Sequence, residues 1–405
     1  MDLFDKFDGV AELHAEIAAA GEFPFGLCME RVLSATEAIV GGRKVILAGT
    51  NNYLGLTFDP DCVAAAAAAV REHGTGTTGS RVANGTYAGH LELSRDLASF
   101  LRRRTAIVFT TGYQAVLGAL SGLAGPDDVI LLDADAHASM YDGCRLSGAT
   151  VIRFRHNDPA DLDRRLKRLD NPHSNKLIVV EGLYSMLGDR APLAEIAEVK
   201  RRHNAYLMVD EAHSLGIYGE NRRGVAEAAG VEGDVDFVVG TFSKSLGAIG
   251  GFCASDHPKF EFLQFGTRAY MFTASLSPSN VASVTAALEK IHTTPALTEQ
   301  LWKNARHLHD GLGRLGFDLC ADVGPVVAVK MPDRETAVDM WNRLLQAGVY
   351  VNLAIPPGTP GGLALLRCSL SAGHSETQIA RIIDMFASAD ADMRSGPQRA
   401  AGTAD

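Results

Sequence analysis

Short runs of apolar, often β-branched residues recur through the middle of the chain, each closed by glycine, threonine or an acid and separated by stretches of helical spacing. This pattern predicts strands at Ala106–Thr110, Val129–Asp133, Val151–Phe154, Leu177–Glu181, Tyr206–Asp210, Phe237–Gly240 and Phe252–Ser255, with helices between them. Strands interleaved with helices imply an α/β domain whose mostly parallel sheet is covered on both faces. Ahead of it, Leu3, Phe4, Phe7, Val10, Leu13 and Ile17 recur at helical spacing among acids, and Ile39 to Ala48, broken by Gly41-Gly42, reads as a hairpin. An alanine-rich helix from Asp61 to Arg71 leads into the polar loop Gly74-Thr-Gly-Thr-Thr-Gly-Ser-Arg81. Pro278 opens a helix to about His292. Beyond it, strands at Pro325–Val329, Tyr350–Leu353 and Leu363–Cys368 with helices around Ala337–Ala347 and Glu376–Phe386 suit a smaller α+β domain. The expected division is a segment 1–50, a large domain 51–292, a small domain 293–393 and a disordered tail 394–405.

Composition narrows the function more than the fold. With 405 residues, 46% hydrophobic and 21% charged, the chain is an ordinary globular protein able to bury a large core. A net charge of −10 without a dense Lys/Arg cluster argues against nucleic acid, Arg102-Arg-Arg104 being a short solvated run. Six scattered cysteines without a C-x-x-C pair suit buried free thiols in a reducing compartment, with neither disulfides nor a metal site. No apolar run is long enough to span a bilayer, and the first residues lack a signal peptide's basic start, so a cytoplasmic location is expected. The opening helix suits a membrane surface or a partner subunit; its acidic character favours the partner and leaves at most weak peripheral membrane association.

The chemistry gathers on Val238-Val-Gly-Thr-Phe-Ser-Lys-Ser-Leu-Gly-Ala-Ile-Gly-Gly-Phe252. Lys244 follows a buried strand, flanked by Thr241, Ser243 and glycines, where weak solvation favours imine formation. Alone, it reads more readily as a solvated surface cation. The decision comes from Ala205-Tyr-Leu-Met-Val-Asp-Glu-Ala-His-Ser214, whose apolar run stops at Asp210. A crossover helix and one strand fit between Asp210 and Lys244, so both emerge at the carboxyl edge of one sheet. A carboxylate and an amine placed there meet the needs of pyridoxal 5'-phosphate, one holding the ring nitrogen protonated and the other binding the aldehyde. Thr110-Thr-Gly-Tyr-Gln114 ends a strand and opens a helix, where backbone amides beside Gly112 could cradle a phosphate. Arg367, inside the apolar run Leu365-Leu-Arg-Cys-Ser369, needs an anionic partner.

Four stretches, Thr241-Phe-Ser-Lys-Ser-Leu-Gly247, Tyr184-Ser-Met-Leu-Gly-Asp189, Asp133-Ala-Asp-Ala-His-Ala-Ser139 and Phe272-Thr-Ala-Ser-Leu276, make the chain resemble the α-oxoamine synthases from about Phe7 to about Phe386. The resemblance implies a fold-type-I pyridoxal-phosphate transferase, a homodimer with shared active sites, and condensation of L-serine with a long-chain acyl-CoA. It assigns the cofactor phosphate to Gly112 and Tyr113, stacking on the ring and contact with the substrate carboxylate to His137, and contacts at the phenolic oxygen to His213 and Ser185. Thr273 and Ser275 would complete the neighbouring subunit's phosphate site. Asn52 and the polar loop 74–81, with Ser80, would lie near substrate, and Arg367 would grip its carboxylate. One departure stands out: where relatives commonly carry an arginine before the Pro-Pro pair, Ile355 precedes Pro356-Pro357. Two rivals stay open, a synthase using alanine or glycine with a shorter or dicarboxylic acyl-CoA, and a non-catalytic subunit of a synthase complex.

Overall fold

The computed structural model describes residues 2–19, 21–169 and 175–395. By contact the chain forms two units, one of Asn51–Ser185 with Asp189–Gln300, the other of the residues up to Thr50, Met186–Gly188 and those from Leu301 onward. The second boundary falls after Gln300, not after residue 292, inside the continuous helix Pro295–Arg314, which carries no glycine or proline break at that point to mark it.

In the first unit seven strands run in the order Thr105–Phe109, Gly251–Ser255, Phe237–Thr241, Tyr206–Asp210, Lys176–Glu181, Val129–Asp133, Thr150–Phe154. Only Gly251–Ser255 runs antiparallel to its neighbours, so the sheet is mostly parallel, as the alternation of strands and helices requires. Strands buried on both faces need continuous apolar runs, and Val129–Asp133 and Phe237–Thr241 are buried at every position. Against one face packs the helix Gly112–Leu123, whose Ala115, Ala119 and Leu120 join Ile107, Ile130, Val179, Met208 and Val239 in one core. A side chain such as Leu120, with no exposure, contributes about 1.5–3 kcal/mol by leaving water. The helix Ala138–Ser147 lies close beside it because Gly143 has no Cβ; one built there would meet Leu120 Cβ at 2.9 Å.

The other unit holds a four-stranded sheet, Arg31–Ser34, Glu37–Val40, Arg43–Leu47, Val349–Tyr350, and a three-stranded sheet, Val326–Met331, Ala364–Ser369, Asn352–Ala354. Three features differ from the sequence reading. Arg31–Ser34 is an additional strand, half exposed and without alternation to betray it. The single strand expected at Tyr350–Leu353 is two, in different sheets, because the Val351 carbonyl accepts the Trp341 indole N–H at 2.8 Å and leaves the ladder there. The last helix, Glu376–Ser395, runs through the start of the expected tail; the rest of that tail lies outside the described residues. The opening helix Asp8–Ala19 buries only Ile17, with Leu3, Phe4, Phe7 and Val10 exposed. Among the described residues no cysteine forms a disulfide; four of the six are buried, while Cys28 is exposed and Cys320 half-buried.

Candidate active site

Register brings the reactive groups to one edge. In the parallel ladder Glu181 stands opposite Asp210 and Asp210 opposite Val239, so Glu181, Asp210 and Thr241 end adjacent strands at the same carboxyl edge, with Lys244 in the turn beyond. Asp210 is buried, and its Oδ1 accepts the Ala212 N–H at 2.8 Å. Burial raises its pKa, opposed by the positive charge of Lys244, that amide and His137. A buried carboxyl in that condition calls for a cation against it.

His137 caps the helix Ala138–Ser147, its Nδ1 within 2.8 Å of Ser139 Oγ and its backbone N–H donating to Glu181 Oε1 at 2.7 Å. The ring keeps solvent access, yet the protein crowded around it lowers its pKa, while Asp210 pulls it up and Lys244 down. Burial drives Glu181 well above the usual carboxylate range, with Asp210 adding to the shift. His213 is buried and its Nδ1 lies 2.7 Å from the hydroxyl of Tyr53, which has no exposure.

Gly112 starts its helix in contact with Thr241: an added Cβ would meet Thr241 Cβ at 2.6 Å. The Thr241 and Ser243 hydroxyls lie 2.9 Å apart beside those first helical amides, which have no acceptor within the helix. Amides and two hydroxyls around a position with no room for a side chain fit a phosphate group. Tyr113 turns its hydroxyl to Asp142, and its ring stands nearly perpendicular to that of His137, 6.2 Å between centroids.

Thr273 Oγ1 accepts from Gln114 Nε2 at 3.3 Å. Ser275 faces the polar loop of its own chain, its hydroxyl 2.7 Å from Thr77 Oγ1 and donating to the Gly85 carbonyl at 2.6 Å, and Ser80 pairs with Ala274. Asn52 Nδ2 donates to Thr57 Oγ1 at 2.7 Å, and its Oδ1 is buried without a hydrogen-bond partner. Ser185 sits half-buried just after the loop begins at Tyr184. Arg367 belongs to the other unit, where it is buried in the strand Ala364–Ser369 and donates from Nη1 to Ser369 Oγ at 2.8 Å. Among the described residues no cluster of metal-binding side chains occurs, and no helix is long and apolar enough to cross a membrane.

A lysine beyond one strand, a buried acid raised by burial at the next, and a phosphate cradle at a helix start define a pyridoxal-phosphate enzyme of fold type I. The family described as aminotransferase class I and II matches residues 43–386. A serine palmitoyltransferase of Caulobacter vibrioides is 56% identical over 386 residues, 95% of this chain and 96% of that one. Another, from Sphingomonas paucimobilis, is 51% identical over 391 residues, 96% of this chain and 93% of that one. A solved structure of SPT with its PLP internal aldimine, 50% identical, covers 97% of this chain and 100% of its own with a TM-score of 0.95. The chain belongs to the class I and II aminotransferase family and, within it, to the serine palmitoyltransferases.

Sequence reasoning missed two participants. Glu181 ends an apolar run in an acid as Asp210 does, and that signal could have found it. Tyr53 adjoins Asn52, but its contact with His213 spans 160 positions and leaves no local trace.

Proposed function

We propose that the chain condenses L-serine with a long-chain acyl-CoA such as palmitoyl-CoA, releasing coenzyme A and carbon dioxide and giving 3-ketodihydrosphingosine. The observation that carries this is the buried Asp210, raised by burial and set against the charge of Lys244, in a chain 51–56% identical to two serine palmitoyltransferases. Pyridoxal phosphate, once bound, supplies an aldehyde that captures an amine and a ring that accepts the electron pair left when a bond at the amine's carbon breaks. Gly112, Tyr113, Thr241 and Ser243 would hold its phosphate, His137 its ring face, and His213 with Ser185 its phenolic oxygen. Asp210 would keep a proton on its ring nitrogen.

The rest falls to side chains. Arg367 and His137 hold the serine carboxylate, with Asn52 nearby. Lys244 Nζ, which would carry the aldehyde at rest, would remove the proton from serine Cα. That carbon attacks the acyl thioester, coenzyme A leaves as the thiol, the carboxylate departs as carbon dioxide, and a proton returns to Cα from Lys244 or His137. The test is a panel of serine, alanine and glycine against acyl-CoAs of increasing length, read as free thiol. Serine with long-chain acyl-CoA should turn over fastest; a clear preference for alanine or glycine, or for a short or dicarboxylic chain, overturns the substrate assignment.

A further inference from the structure

His156 follows the edge strand Thr150–Phe154 and is clamped between two carboxylates, Nδ1 lying 2.8 Å from Asp133 Oδ1 and Nε2 2.7 Å from Asp189 Oδ2. Carboxylate oxygens only accept, so both ring nitrogens must donate and the ring must carry a positive charge. Asp135 Oδ2 stands 3.9 Å from Nδ1, so three acids face one imidazole. Burial by itself would lower its pKa, but the hydrogen bonds to Asp133 and Asp189 and their charges carry it up to about 10. Asn157 reinforces the arrangement, its backbone N–H donating to Asp133 Oδ2 at 3.0 Å and its Nδ2 to Asp189 Oδ2 at 2.7 Å.

The clamp ties one strand end to one loop. Asp133 closes the strand Val129–Asp133, and Asp189 closes the loop that starts at Tyr184. That loop is shut at its base by Tyr184 N–H donating to the Asp189 carbonyl at 2.8 Å and by the bridge between Leu183 and Arg190. The Tyr184 ring stands edge-on to His156, 4.4 Å between centroids and 88° between planes. Ser185 follows directly.

We propose that His156 is a positioning residue of the cofactor site: as an imidazolium joining Asp133 to Asp189, it fixes the Tyr184–Asp189 loop and through it the Ser185 hydroxyl beside the cofactor. This rests on the reading of Ser185 as a cofactor contact and not on which amino acid or acyl-CoA is used.

The experiment has two arms, neither needing turnover. In apoenzyme with nitrogen-15 histidine, magnetic resonance at about pH 8 should show His156 with both ring nitrogens protonated, where an ordinary histidine is neutral. In His156→Gln apoenzyme, amide exchange of the peptide spanning 183–190 should rise, and pyridoxal-phosphate affinity, read by absorbance titration, should fall about tenfold. Pairing that change with Asp189→Asn removes the uncompensated acid and should restore most of the loop's protection and affinity. A His156 ring that titrates near 6.5, or a His156→Gln protein whose cofactor affinity matches the parent's, overturns the proposal. Should His156→Gln fail to fold, the resonance of the unaltered protein decides alone. A change in substrate preference touches neither arm.

Discussion

At the scale of single residues, Lys244 and Asp210 were legible because an apolar run that halts at a charged group is a conflict the chain keeps only for a reason, and two such conflicts at one sheet edge share it. Lys244→Ala should therefore abolish both the yellow colour of the bound cofactor and turnover, as read by absorbance and thiol release, and activity above a trace would refute the whole assignment. Glu181 carried the same signal as Asp210 and was passed over, whereas Tyr53 was not legible, since its contact with His213 depends on chain closure. Arg367 carries the second residue-level prediction. If Arg367 grips the serine carboxylate as proposed, Ile355 in place of an arginine before Pro356-Pro357 leaves that group only Arg367 and His137 to rely on. Losing one partner of a buried charged pair costs about 2–5 kcal/mol, roughly 30-fold to several thousand-fold in affinity. Arg367→Ala should weaken serine binding on that scale while leaving cofactor colour intact, and Arg367→Lys should recover little because a point charge lacks the fork. Spectral titration with L-serine reads this; parental affinity would place the carboxylate elsewhere.

Elements are set by packing and by where backbone groups find partners. The seven strands were readable from their apolar runs because burial on both faces leaves no room for polar positions. The break at Val351 was not, because the indole N–H of Trp341, in the helix just before it, captures the carbonyl there, and an apolar run carries no sign of that bond. Between these cases lies the start of the helix Gly112–Leu123, where sequence supplied the glycine and only the fold shows what crowds it. Gly112→Ala would drive a methyl into Thr241, with its Cβ 2.6 Å away, an overpacking that costs about 1–3 kcal/mol. The strain should fall on the turn holding Thr241, Ser243 and Lys244, so the variant should fold yet bind pyridoxal phosphate at least tenfold more weakly. An absorbance titration indistinguishable from the parent's would show that the phosphate lies elsewhere.

The whole molecule adds properties that neither scale contains. If Thr273 and Ser275 serve a neighbouring copy's phosphate, dilution to monomers should release cofactor in step with dissociation, measured by colour and by sedimentation; a monomer that keeps its cofactor excludes a shared site. Two buried groups, one in each unit, should also answer acid with opposite sign. In the unit of residues 51–185 and 189–300, burial pushes Glu211 up to about 7, against the Ser214 hydroxyl and the Ala226 and Val225 amides, so the folded state takes a proton the unfolded chain does not and gains stability as pH falls from about 7 to about 4.5. In the other unit, burial pushes His374 down to about 4, against its hydrogen bonds to the Leu47 carbonyl and the Ser371 amide. Its Nδ1 accepts the Ser371 N–H at 3.0 Å, so a second ring proton would set donor against donor. Here the unfolded chain binds the proton first, and stability present above pH 6.5 is lost as pH falls toward 4, roughly 3 kcal/mol in all. Asp333, held below the usual carboxylate range by the Thr336 amide, gives up its share only at lower pH and leaves this window to His374. Amide exchange from pH 7 to 4.5 should therefore rise first in the strands around Leu47 and Ser369, ahead of the seven-stranded sheet. His374→Gln, which cannot charge, should start less stable at pH 7 and lose far less on acidification. Equal acid sensitivity in parent and variant would remove His374 as the cause.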